Sequence, residues 1–210
     1  MTAPPTTSPF IHGDNSVTRV MRQVIYALIP GIICATWFFG WGVLINIVVA
    51  SITALVTEFV MLKLRDRPAK PFLSDLSALV TAFLLAICLP SFLPWWMVVV
   101  GTTFAIVIAK HLYGGLGNNP FNPAMIGYVV LLISFPQQMT QWVDAKTIGS
   151  QSISLQRSLA ISFEGARTLD GISGATKLDH VKTEIKRGAA LPDVAANLPE
   201  VKVADRKSVV

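Results

Sequence analysis

Three long stretches without an acidic or basic residue organise this chain: 23–57, 76–109 and 112–143. The first, Gln23 to Thr57, has 35 residues. As one helix it would reach about 50 Å at ~1.5 Å per residue, against a hydrocarbon layer of ~30 Å, so it must fold back. Phe39-Gly40-Trp41-Gly42 is the hinge the pattern predicts, because glycine permits the turn and Trp37 and Trp41 suit the headgroup level. Two spans follow, Gln23 to Phe39 and Val43 to Leu62. The second stretch, Leu76 to Ala109, repeats this logic with 34 residues and breaks at Pro90-Ser-Phe-Leu-Pro94, before interfacial Trp95 and Trp96. It predicts a third and a fourth span. The third stretch begins with Gly114-Gly-Leu-Gly-Asn-Asn-Pro-Phe-Asn-Pro123, and only Ala124 to Phe135 reads as helical. A short fifth span preceded by unwound backbone is expected there.

Composition agrees with a membrane protein: 52% hydrophobic and 14% charged residues, with mean hydropathy +0.58, do not suit a water-soluble core. Of the 29 charged residues, 11 lie in 1–135 and 18 in 136–210, so a membrane part precedes a polar one. Arg19 and Arg22 precede span one, Lys63, Arg65, Arg67 and Lys70 lie between spans two and three, and Lys110 follows span four. The two opposite connectors carry no basic residue. The positive-inside rule then puts the N-terminus in the cytoplasm and, after five spans, everything beyond about Pro136 in the periplasm of a bacterium. The first apolar stretch is too long for a cleaved signal peptide and no small-residue cleavage site follows it, so it reads as an anchor. The expected division is a cytoplasmic tail over 1–22, a five-helix membrane domain over 23–135, a periplasmic segment over 136–191 and a mobile tail over 192–210.

Net charge +5 and pI 9.4 come without a basic run of five residues, which sets nucleic acid aside. Cys34 and Cys88 lie inside apolar stretches and make neither a disulfide framework nor a metal site; core packing is expected of both. The polar part opens on a turn-rich, amphipathic stretch, Gln137 to Thr168, that the pattern leaves unassigned. Asp170-Gly-Ile-Ser-Gly-Ala-Thr176 then reads as a tight turn. Thr176 serves as N-cap and Asp179 as its acidic partner, opening a helix with Leu178, Val181 and Ile185 on one face and Gly188 at its end.

The segment Asp170-Gly171-Ile172-Ser173-Gly174-Ala175-Thr176, with the following Leu178-Asp179, resembles the flavinylation motif of a family of membrane redox subunits. That family includes the D subunit of the Rnf ion-translocating complex and the B subunit of the sodium-translocating NADH:quinone reductase. Gly114 to Ala124 is similar to the family's signature between its fourth and fifth helices, and the resemblance covers about Ser16 to Gly188. It implies an all-α membrane protein, half of an inverted-repeat bundle of five transmembrane helices followed by a small periplasmic flavin-bearing segment. It further implies FMN joined by a phosphoester to Thr176, with Asp170, Ser173, Gly174 and Ala175 forming the motif around it. Other subunits of the redox complex and a periplasmic flavin transferase are the implied partners, beside the lipid bilayer of the inner membrane. A helix N-terminus suits a phosphate because its free amides and partial positive charge face the oxygen. An ordinary capping threonine is the plainer reading of Thr176, and the membrane context and the second motif outweigh it. The short tail before span one favours the D subunit of Rnf over the quinone-reductase relative. Family members continue into a second set of helices, so this chain is expected to lack the C-terminal membrane half.

Other candidates remain open at this level. Gly114 to Pro123 lacks the Lys-Ser/Thr of a P-loop; it is either a re-entrant turn satisfied by protein, or a segment whose amides and Asn118, Asn119 and Asn122 hold a second, non-covalent flavin or line an ion path. Glu58 and Asp75 are either coupling-ion sites or interfacial acids, solvated or paired with Lys63, Arg65 or Arg67. His12, His111 and His180 lie far apart and predict no metal site. A passive channel or transporter half without redox chemistry is the competing class, suggested by the broken segment before span five.

Overall fold

The computed structural model describes residues 16–115, 118–143, 154–164, 182 and 185–187. Among them there are helices and no β-strand. Helix α1 covers Val17–Phe39, α2 Gly42–Leu64, α3 Ala69–Leu73, α4 Ser77–Cys88 and α5 Trp95–Phe104. A π-helix, Ala105–Leu112, continues α5, and α6 (Pro123–Ser134), α7 (Pro136–Met139) and α8 (Leu155–Glu164) follow. Four helical stretches are long and apolar enough to cross a membrane: Val17–Phe39, Gly42–Leu64, Ala69–Cys88 and Trp95–Leu112. The expected fifth span corresponds to α6, whose 12 residues reach only about 18 Å at 1.5 Å per residue. The described residues therefore contain four helices of spanning length rather than five.

Each boundary has a local cause. Ser16 caps α1 by accepting a hydrogen bond from the Arg19 amide at 3.3 Å, which carries the helix six residues further toward the N-terminus than the apolar pattern implied. At the hinge Gly40 takes φ 85° and donates its N–H to the Thr36 carbonyl, a conformation that glycine adopts without a Cβ penalty. Gly42 is fixed by proximity: a Cβ there would collide with the Ser91 carbonyl oxygen. Asn46 donates to the Pro90 carbonyl at 2.9 Å, so the start of α2 is tied to the break at 90–94. Asn122 caps α6 through the Ala124 amide at 3.0 Å, with Pro123 at the first helical position.

The core lies between α2, α4, α5 and α6. Ala50, Ala54, Ala78, Ala82 and Ala86 are buried there, and small side chains let helices approach closely where lipid gives no hydrophobic drive between them. Leu85, Leu89, Leu93, Met97, Ile106 and Leu131 fill the remaining volume. A Cβ on Gly127 would stand 2.6 Å from the Gly101 carbonyl oxygen, so α5 and α6 cross closely here. Helix α1 has no buried residue and leans on the core through Ile32, Ala35 and Phe39. Cys34 and Cys88 do not pack in the core; both are exposed, on the outer faces of α1 and α4, because the alanines take the close contacts instead.

The stretch left unassigned by its sequence contains α7 and α8. Helix α8 buries Ser158, Ile161 and Ser162, Ile161 packs with Phe92 and Val143, and Phe163 stacks on Trp95 with centroids 6.1 Å apart. Trp142 meets Phe39, and Trp96 meets Phe135. These contacts gather the hinge at 39–42, the break at 90–94 and the start of the polar part at one end of the bundle. Lys63, Arg65, Arg67 and Lys70 lie on the connection at the other end.

Candidate functional site

Near that basic end a group of ionisable side chains is buried inside the helices. Glu58 on α2 and Lys110 and His111 on the π-helix are 1%, 3% and 4% exposed. The Lys110 ammonium donates to both Glu58 carboxylate oxygens, at 2.8 and 2.9 Å, and to Ser77 Oγ at 2.7 Å. Its three N–H donors thus have three oxygen partners. Ser77, the first residue of α4, donates in turn to Asp75 Oδ1 at 2.6 Å, and its amide donates to the same oxygen at 2.7 Å. That double contact closes around Leu76, which holds φ 65°, a left-handed conformation unusual for a branched apolar residue. On the other side of the carboxylate His111 Nε2 stands 3.2 Å from Glu58 Oε2. It has no hydrogen-bond partner.

The π-helix explains how Lys110 and His111, adjacent in sequence, are both buried. Its i→i+5 spacing widens the turn, and both side chains face Glu58. The segment ends where Gly115 and Gly114 donate their amides to the carbonyls of Lys110 and His111, at 2.9 and 3.1 Å, both glycines taking φ 102°. Arg65, at the end of α2, donates to the His111 carbonyl at 2.6 Å. Glu58 is therefore not solvated and not paired with Lys63, Arg65 or Arg67; its partners come from 52 residues further along the chain. A buried charge pair adds little net stability once desolvation is counted. Ionisable groups inside a membrane domain are the usual mark of an ion or proton path.

The other expected sites separate clearly. Asn122 serves as a helix cap, and Asn119 donates to the Phe121 carbonyl at 2.9 Å within its own turn. Asn118 donates its amide to Gly115 and lies beside Gly114. Each of these contacts belongs to a turn closed by protein. Asp170, Ser173, Gly174, Ala175 and Thr176 lie outside the described residues, as do His12 and His180. Of the helix expected after Thr176, Lys182, Ile185 and Lys186 have helical backbone. Among the described residues no group of three or more His, Cys, Asp or Glu side chains is placed to hold a metal ion.

The sequence signal for the buried cluster was present but indirect. Glu58 follows the first uncharged stretch and Lys110 the second, and the topology expected from the basic residues returns both stretches to one side. Two lone, opposite charges at matching depth are candidates for a pair.

Four apolar helices of spanning length and a buried ionisable cluster between them define a multi-pass helical membrane protein. The chain belongs to the NQR2, RnfD, RnfE family, whose model matches residues 5–205. It is 49% identical over 198 residues to the D subunit of the ion-translocating oxidoreductase complex of Salmonella enteritidis PT4, an alignment covering 89% of this chain and 56% of that protein. The proteins of the same name from Salmonella gallinarum and Salmonella typhi match with the same identity and coverage. The chain spans about half the length of these curated relatives.

Proposed function

We propose that this chain forms part of the D subunit of a bacterial ion-translocating oxidoreductase complex of the ferredoxin/NAD type, and that it carries FMN as a phosphoester on Thr176. The observation that carries the reading is 49% identity to the Salmonella D subunit across 89% of the chain, an extent that includes the Ser173-Gly174-Ala175-Thr176 motif. The placement of α8 against Phe92 and Trp95 supports it, because the polar part then leaves the bundle at the end opposite Lys63, Arg65, Arg67 and Lys70, which the positive-inside rule puts in the periplasm. The reading includes α6 as a fifth, short crossing in the inner membrane.

An alcohol oxygen at a helix start is chemically suited to a phosphoester. In the sequence Thr176 offers that oxygen beside Gly174, which carries no side chain, and the helix start expected there would supply free amides suited to a phosphate. When attached, the flavin supplies the electron-transfer chemistry, while the protein holds and orients it. Other subunits of the complex are the partners this reading requires. A passive channel would need no covalent flavin, so one experiment separates the classes. Full-length protein made with a periplasmic flavin transferase should give a denatured gel band that fluoresces under ultraviolet light, with added mass matching FMN. A dark band of unmodified mass would sink the assignment.

A further inference from the structure

Helix α1 has a face that the bundle does not use. It packs through Ile32, Ala35 and Phe39 and buries no residue. At ~100° per residue, those three side chains lie opposite a stripe made by Arg19, Arg22, Gln23, Tyr26, Ile33 and Trp37, all of them exposed. The stripe changes character along its length. Arg19, Arg22, Gln23 and Tyr26 line an open groove of about 330 Å³, whereas Ile33 and Trp37, 62% and 73% exposed, continue it as an apolar strip. Arg19 and Trp37 are separated by about 27 Å at ~1.5 Å per residue, close to the thickness of a ~30 Å hydrocarbon layer. The groove therefore falls at the headgroup level of one leaflet and Trp37 at that of the other. Side chains on a helix lean toward its N-terminus, which carries the Tyr26 phenol toward Gln23 and Arg22.

We infer that this stripe is a binding site for one anionic glycerophospholipid of the bilayer, with its phosphodiester on Arg19 and Arg22 and an acyl chain running past Tyr26 toward Ile33. Charge complementarity selects the occupant. The groove is lined by two cations and no acid, and guanidinium forks match phosphate oxygens in pairs. The Gln23 amide and the Tyr26 hydroxyl add donors for the ester oxygens below the phosphate. A soluble anion would leave the apolar strip unused. A helix of another protein is a poor match as well, because helices meet in membranes through small residues, and this stripe offers Tyr26, Ile33 and Trp37.

The inference needs α1 in the bilayer and is independent of the flavin on Thr176, so a failed flavin assay leaves it standing. Its test uses the full-length subunit in its complex, in vesicles holding equal amounts of phosphatidylglycerol and phosphatidylcholine with identical acyl chains. The photo-crosslinking residue p-benzoylphenylalanine replaces Ile29, one turn below Tyr26, and the mass of the adduct identifies what lies there. The phosphatidylglycerol adduct should exceed the phosphatidylcholine adduct by more than about tenfold, the scale of two basic residues at an anionic headgroup. Arg19→Gln with Arg22→Gln should make the two adducts equal. Arg19→Lys with Arg22→Lys keeps the charge, and with it the orientation of α1, but loses the paired hydrogen bonds; its preference should fall several-fold. Equal adducts in the arginine-containing protein overturn the site. So does full preference in the lysine variant, which would reduce the site to general surface charge. An adduct to a partner's polypeptide in place of lipid overturns it too, as does a preference abolished by inorganic phosphate but not by chloride at equal ionic strength.

Discussion

Lys110 Nζ meets both carboxylate oxygens of Glu58, at 2.8 and 2.9 Å, and so ties the π-helix to α2 across 52 positions of sequence. The contact is a charge pair excluded from water, with Ser77 as the third partner of the ammonium. Such a pair fixes helix register more than it stabilises, and its failure modes are asymmetric.

Glu58→Ala should therefore be much worse than removal of both charges. The single change leaves a buried ammonium without a counter-charge and should cost about 3–5 kcal/mol. The double change Glu58→Ala with Lys110→Met should recover most of that. Thermal unfolding of the four proteins of the cycle in detergent measures the coupling directly; equal losses in the single and double variants would show that the pair is not the cause.

Gly127 and Gly101 set the spacing of α5 and α6. Gly127→Val places carbon atoms where the Gly101 carbonyl oxygen, the Ala105 side chain and Leu85 already stand, and overpacking of this kind typically costs about 1–3 kcal/mol. A lowered unfolding temperature with retained membrane insertion is the expected result. Gly31→Ala is the matched control, since open space surrounds that position.

For topology, a reporter fused after Gly188 should be active in the periplasm, and one fused at Arg67 should be active in the cytoplasm. The contacts of α8 with Phe92 and Trp95 require opposite sides for these two fusions if α6 crosses as well. Two fusions reporting the same side would remove α6 from the membrane-crossing helices.

Thr176→Val should abolish flavin attachment while costing about 1 kcal/mol through loss of the helix cap that the sequence predicts there. Thr176→Ser retains an oxygen, so partial labelling is expected from it. In-gel fluorescence with intact mass reads both, and a fluorescent Thr176→Val band would move the acceptor to another residue.

Much of the helical framework was legible in the sequence because glycine, proline and tryptophan mark the ends of apolar stretches. The hinge at Gly40 and the break at 90–94 appear where those residues stand, and α2 and α4 begin within a residue of the pattern. The N-terminal extension of α1 escapes it, since Arg19 and Arg22 look like flanks until the Ser16 cap is seen. The cysteines escape it too, because an apolar neighbourhood in sequence does not distinguish a core from a face that lipid can cover. Asn119 and Asn122 offered two roles, and only backbone geometry shows them closing turns and a cap. The pairing of Glu58 with Lys110 required knowing that the second half of the fourth span is a π-helix, for which the residues Ala105 to Leu112 carry no compositional sign.

That π-helix gives this wall of the bundle an unusual sensitivity to the number of residues rather than to their kind. An α-helix advances ~100° per residue, so removing one residue between Phe104 and Lys110 would let the segment relax to ordinary i→i+4 bonding while turning everything on one side of the deletion by that angle. Lys110 and His111 could not both face Glu58 afterwards. Single substitutions at Val107 or Ile108, which are not buried, would leave the two side chains in place, whereas a single-codon deletion would disconnect them without introducing one polar or bulky group. The spacing of the chain is itself part of the site.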